Sequence, residues 1–209
     1  GRITDIDHIV RIIDAQDPSN RDDLIDYYRG TIKDPMTAYR FARQFGRDDR
    51  LLSMITTSAT ATKWALQWFE DRAGLYTLVD NEEDALAWVS KFPEYVSTMI
   101  HFIQSSVGAL QFSKMYPHLR KEVLPKVSLE KTLYNWYLYW PEDITVIKDR
   151  ITSPSFGLMI AMHDPSIRQY VRKTIRGPFW LNAWLTKWPE DHVYFGNSKE
   201  DYTSQLNYL

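Results

Sequence analysis

The tetrapeptide Trp140-Pro141-Glu142-Asp143 returns 48 residues later as Trp188-Pro189-Glu190-Asp191, and Phe92-Pro93 and Tyr116-Pro117 mark earlier steps of 24. A fixed period of this size is the signature of stacked supersecondary units, and it constrains the fold more tightly than composition does. With the first position of each repeat at Ile32, Ile55, Val79, Ile103, Val127, Ile151 and Ile175, the steps are 23 and then 24 throughout. The tenth position reads Phe41, Trp64, Trp88, Phe112, Trp136, Ile160 and Trp184. The fourteenth reads Phe45, Trp68, Phe92, Tyr116, Trp140, Asp164 and Trp188, with Asp164 the one residue that is not aromatic. The fifteenth is Gly46 and Phe69 and then five prolines, Pro93 to Pro189. A partial repeat from Lys199 supplies Asp201 and Tyr208 in register.

Each column has a physical reading. The third position holds Asp34, Thr57, Asn81, Ser105, Leu129, Ser153 and Gly177. All but Leu129 suit a helix N-cap, where a short polar side chain or bare backbone accommodates the first unpaired N–H groups. The fourth is Pro35, Pro154 or Pro178, or an acid such as Glu82 or Glu130. Proline is preorganised for the first helical turn, and glutamate suits the positive end of the helix dipole. A first helix of about ten residues follows, with its apolar stripe at positions 7, 10, 11 and 14. In the third repeat these are Ala85, Trp88, Val89 and Phe92. Proline at position 15 ends that helix and opens a second, carrying Ile144, Ile147 and Ile151 in the fifth repeat. Helices this short are marginal alone and must bury their stripes against adjacent repeats.

The expected fold class is therefore all-α, a right-handed α-solenoid of short helix-turn-helix repeats. Residues 1–31 read as an atypical N-terminal capping helix pair, and 32–209 as one continuous array of tandem repeats. The cap is acidic, with Asp5, Asp7, Asp14, Asp17, Asp22, Asp23 and Asp26. The sixth repeat departs most, through Gly157, Ile160 and Asp164, and a break or bend in the stack is expected there. The 8 Trp, 13 Tyr and 9 Phe follow from the architecture, since a short repeat has few core positions and each must bury a large area. The chain opens on Gly1 and its last repeat ends after one helix, so either the array stops there or the chain is cut from a longer one.

Two stretches carry a resemblance: Thr31-Ile32-Lys33-Asp34-Pro35 followed by Ala38-Tyr39-Arg40-Phe41-Ala42-Arg43, and the Trp-Pro-Glu-Asp element, with Gly108 to Ser113 in the same style. They resemble short tandem α-helical repeats of uncharacterised bacteriophage and bacterial proteins, over residues 32–209. The resemblance implies a helical repeat fold, a phage origin and residence in the bacterial host cytoplasm. It implies no activity, cofactor or catalytic residue.

The residues themselves point away from catalysis. Without cysteine there is no thiol nucleophile or thiolate metal site. His8, His101, His118, His163 and His192 stand at different repeat positions, and no pair has the spacing of a helical metal site. No Gly-x-Ser-x-Gly elbow or phosphate-cradling glycine loop is present. The Glu142-Asp143 and Glu190-Asp191 pairs are accounted for by helix starts. No cofactor, small-molecule substrate or membrane is expected: no apolar run approaches the roughly 18 residues a membrane span needs, and no signal peptide is found.

The expectation is a non-catalytic binding module that engages a host or phage protein. Its candidate surface lies in the aromatic run of the fifth repeat, where the stripe claims Trp136, Tyr137 and Trp140 and leaves Tyr134, Leu138 and Tyr139 over. Met115 and Met162 stand at similar places on neighbouring repeats. The alternative is a nucleic-acid-binding solenoid gripping phosphates with Arg40, Arg43 and Arg47, and with Arg168, Arg172 and Arg176. Against it stand a net charge of −2 and nearby Asp48, Asp49, Glu122 and Glu130 as pairing partners. A further possibility is a spacer within a longer chain.

Overall fold

The computed structural model describes residues 5–195, and every regular element in them is helical. The partial repeat from Lys199, with Asp201 and Tyr208, lies outside the described residues. The elements are α1 (Ile6–Asp14), α2 (Arg21–Thr31), α3 (Pro35–Phe45), α4 (Asp49–Leu52), α5 (Ser58–Gln67), α6 (Arg72–Leu75), α7 (Glu82–Lys91) and α8 (Val96–Met99). They continue with α9 (Ser106–Met115), α10 (Arg120–Val123), α11 (Glu130–Tyr139), α12 (Ile144–Ile147), α13 (Pro154–His163), α14 (Arg168–Val171), α15 (Pro178–Lys187) and α16 (His192–Phe195). The chain divides into two compact bodies, Gly1–Gln104 and Ser105–Leu209.

The odd-numbered helices from α3 to α15 are the first helices of the seven repeats, and they start where the third column predicts. The side chains of Asp34, Thr57, Asn81, Ser105 and Ser153 each accept from the backbone N–H three residues on. Leu129 and Gly177 give no side-chain cap, and Gly177 enters its helix at φ 80°, a left-handed conformation that favours glycine.

The second helices differ from the expected plain α-helix. Proline opens a three-residue 3-10 turn, such as Pro141–Asp143, followed by the single α turn of α12 and a second 3-10 turn, Lys148–Arg150. Proline cannot supply an N–H, and the tighter ladder at each end fits about ten residues between fixed corners.

The core follows the stripe. All seven residues of the tenth column, from Phe41 to Trp184, are fully buried, as are Ala38, Ala61, Ala85 and Ala109 of the seventh. The fourteenth column is less enclosed: Phe92 and Trp188 are buried, whereas Phe45, Trp68, Tyr116 and Trp140 are half-buried. Within the first body α5 packs on α3 and α7; within the second, α11 packs on α9 and α13, and α13 on α15.

Side-by-side packing runs through the sixth repeat, where a break or bend was expected, so the contacts there are not interrupted. Its odd residues are matched by a neighbour. Tyr137 fills a position that is small in most repeats, and its hydroxyl donates to Asp164 Oδ2 at 3.0 Å. Asp164 stands where the other repeats carry a ring, so one repeat's extra aromatic is hydrogen-bonded to the polar residue that replaces an aromatic in the next. Burial pushes the Tyr137 hydroxyl upward in pKa, and its hydrogen bond to Asp164 adds to that.

Candidate binding surfaces

The polar groups of the repeats fall into two classes, those consumed in joining one repeat to the next and those left facing outward. The Trp-Pro-Glu-Asp element belongs to the first class. Trp64, Trp136 and Trp184 donate their indole N–H to the carboxylate seven residues on, at 2.7 Å to Asp71, 2.9 Å to Asp143 and 2.8 Å to Asp191. Asp143 and Asp191 are buried. Each is also reached by an arginine of the preceding repeat. Arg120 lies 3.1 Å from Asp143 and 2.9 Å from Glu142, and Arg168 lies 3.6 Å from Asp191 and 2.6 Å from Glu190. The bond to Asp143 raises the Arg120 pKa further. Arg47 clasps Glu70 and Asp71 in the same way, and Arg72 reaches Glu94 at 3.3 Å while its guanidinium sits over the Phe92 ring.

The arginine clusters are therefore only partly free. Arg47, Arg168 and Arg172 are engaged by Glu70, Asp71, Glu190 and Asp191, and Arg172 also covers the Tyr194 ring at 3.7 Å. The pairing runs from repeat to repeat, whereas the sequence suggested Asp49 and Glu122 close by. Of the four carboxylates proposed, Asp48 does take an arginine, Arg29, at 2.8 Å. Glu130 takes none; it accepts the backbone N–H groups of Thr152 and Ser153 in the following repeat. Arg40, Arg43 and Arg176 are exposed and form no ion pair among the described residues, although Arg43 lies over the Tyr39 ring at 5.9 Å.

The second class contains the aromatic run. Leu138 and Tyr139 are 42% and 56% exposed, and Met162, one repeat on from Leu138, is 57% exposed. The Lys114 ammonium sits 4.0 Å from the centre of the Tyr139 ring, which joins the fourth repeat to the fifth at this surface. Met115 is half-buried beside Lys114. Tyr134 lies one turn before Leu138 but is half-buried, its ring 6.4 Å from Phe156. Leu138, Tyr139 and Met162 form the more exposed part of the candidate set.

The sequence reading passed over other exposed apolar residues of the same helices: Val107, Met159 and Phe179. Their signal was present only position by position: the fifth position is Val107 in the fourth repeat and Phe179 in the seventh but Lys131 and Ser155 between them, and the ninth is Met159 in the sixth but Gln111 and Asn135 before it. It also passed over a groove of about 530 Å³ in the second body, lined by Lys121, Leu124, Pro125, Asp143, Val146 and Arg150. Its polar walls are already engaged: Arg150 donates to the carbonyls of Leu124 and Val127, and Asp143 accepts from Trp136 and Arg120. What remains is an apolar trough with Lys121 at its edge.

Among the described residues no group of three His, Asp or Glu side chains is placed to hold a metal ion. His192 is spent on the Pro189 carbonyl at 2.9 Å, and His163 lies against Tyr137. No helix among them is long and apolar enough to cross a membrane. No family model matches the chain, and neither the curated proteins nor the solved structures supply a match.

Proposed function

We propose that this chain is a non-catalytic helical-repeat binding module whose partner is a protein. In this reading the helix pairs wind as a right-handed α-solenoid, the form in which short repeats present long continuous surfaces. The observation that carries it is the outward group Leu138, Tyr139 and Met162, large apolar side chains exposed together on adjacent helices of a regular array. Exposed tyrosine and methionine beside one another are the residue types that anchor protein interfaces and adapt to them. The resemblance in the repeat motif supports a phage-encoded protein acting on a host or phage partner in the bacterial cytoplasm.

Capture from bacterial lysate, with and without nuclease, tests this. The expected result is a protein retained after nuclease treatment and lost with Tyr139→Ala combined with Met162→Ala, at unchanged thermal stability. Retention of nucleic acid alone, released by nuclease and lost with Arg40→Ala and Arg43→Ala, would replace it with the phosphate-gripping reading.

A further inference from the structure

The first helices of the repeats are poor in acids, and α3 and α5 of the first body hold none. In α9, α13 and α15 there is no Asp or Glu, and in α11 there is only Glu130, whose carboxylate is held by the backbone of Thr152 and Ser153. Only α7, in the first body, departs from this, opening with Glu82, Glu83 and Asp84. The other acids among the described residues of the second body lie in the second helices and joints, where Glu142, Asp143, Glu190 and Asp191 are taken by arginines and tryptophans. The four helices α9, α11, α13 and α15 pack in succession, so their outer residues form one surface. That surface exposes Val107, Leu138, Tyr139, Met159, Met162 and Phe179. Its ionised side chains are Lys114, Lys131 and Lys187, all exposed and without a carboxylate partner among the described residues. The imbalance extends beyond the face: residues 105–209 hold 13 basic and 10 acidic side chains, whereas 1–104 hold 12 and 17.

Resting on the protein-binding reading above, we propose that this face docks an acidic amphipathic helix of the partner. Its apolar side would meet the methionine, leucine and tyrosine, and its carboxylates the three lysines. Charge complementarity carries this choice, because a face that has lost every unengaged carboxylate repels neither rim nor centre of an acidic segment. Dimensions agree. At the usual interaxial spacing of about 8–10 Å, four helices span about 25–30 Å, the length of a helix of about 17–20 residues.

The test uses the whole chain and three fluorescent helical peptides of one apolar pattern, with Glu, Gln or Lys on the polar side. The Glu peptide is expected to bind about tenfold more tightly than the Gln peptide, with the gap closing as salt is raised. Lys114→Glu with Lys131→Glu and Lys187→Glu should reverse the order in favour of the Lys peptide. Leu138→Ala with Met162→Ala should weaken all three while circular dichroism and melting stay unchanged. Equal binding of the three peptides, or none, overturns the proposal. So does binding of phosphatidylserine vesicles or poly(U) through the same lysines that the Glu peptide fails to displace. Sedimentation showing self-association lost with these variants would overturn it in favour of a second copy, whose acidic α2 would then be the occupant. Should the peptides fail while a lysate protein still depends on Tyr139 and Met162, the acidic chemistry is wrong and the binding module stands.

Discussion

At the scale of single residues, the tryptophan column does two jobs that its burial alone does not distinguish. Trp64, Trp136 and Trp184 each have an aspartate seven residues on to receive the indole N–H, whereas Trp88 has Tyr95 there and its buried indole nitrogen has no hydrogen-bond partner among the described residues. Where the column carries Phe112 or Ile160, the residue seven on is Leu119 or Ile167. Donor and acceptor thus come and go together across most of the repeats. Trp136→Phe is expected to cost about 1 kcal/mol more in chemical denaturation than Trp88→Phe, because it removes the indole donor from a buried carboxylate and leaves it to Arg120. Equal costs would mean that the Trp–Asp bond contributes nothing. A second residue-scale prediction concerns Gly157. A Cβ built there would stand 2.0 Å from Thr174 Oγ1 and 3.4 Å from the Val171 carbonyl, in a buried joint. Gly157→Ala should destabilise by about 1–3 kcal/mol through overpacking, and Thr174→Ala in the same chain should recover most of it.

At the scale of elements, the starts of the first helices were legible in the sequence, because an N-cap is a local device read from a few adjacent residues. The tenth column was legible for the same reason, a short stripe at helical spacing. Tyr134 is half-buried rather than fully exposed because its ring lies near Phe156, which belongs to the next repeat. The 3-10 turns of the second helices were missed because proline announces a helix start without saying how tightly the following turn winds. Glu130 shows the same limit. The sequence offers it to its own helix dipole, and the structure spends it on the next repeat. Burial alone would raise its pKa, but the N–H groups of Thr152 and Ser153 outweigh this and hold the carboxyl below its ordinary value. A lowered folded value gives stability that is present above the unfolded carboxylate pKa of about 4.3 and is lost as pH falls through the folded value. Glu130→Gln should therefore be less stable than the wild type at pH 7 by about 1 kcal/mol. The difference in denaturation midpoint should narrow on acidification below about pH 4; a constant difference would show that the charge is immaterial.

At the scale of the whole molecule, the polar joints reveal a longer period than the one the prolines mark. Position 18 is arginine in the second, fourth and sixth repeats, as Arg72, Arg120 and Arg168, and is Val96, Ile144 and His192 in the third, fifth and seventh. The carboxylates that receive these three arginines stand in the third, fifth and seventh repeats, so each of these salt bridges joins an even repeat to the odd one after it, whereas Arg47, at another position, joins the first repeat to the second. Removing residues 127–174, two repeats of 24, would set Arg120 against Glu190 and Asp191 and should leave a cooperatively folding chain. Removing 127–150 alone would set Arg120 against Ser166 and Ile167 and should lower the melting temperature markedly more, as thermal unfolding would show. Equal loss in the two deletions would reduce the alternation to a coincidence of sequence. If it is real, parity is a heritable property of this array: a gene that duplicates or loses a single repeat makes a chain with a mispaired seam, whereas one that does so by twos makes a chain that still reads as whole. Lengths would then drift among descendants in even steps, and odd ones would be weeded out at the joint between a stranded arginine and an isoleucine.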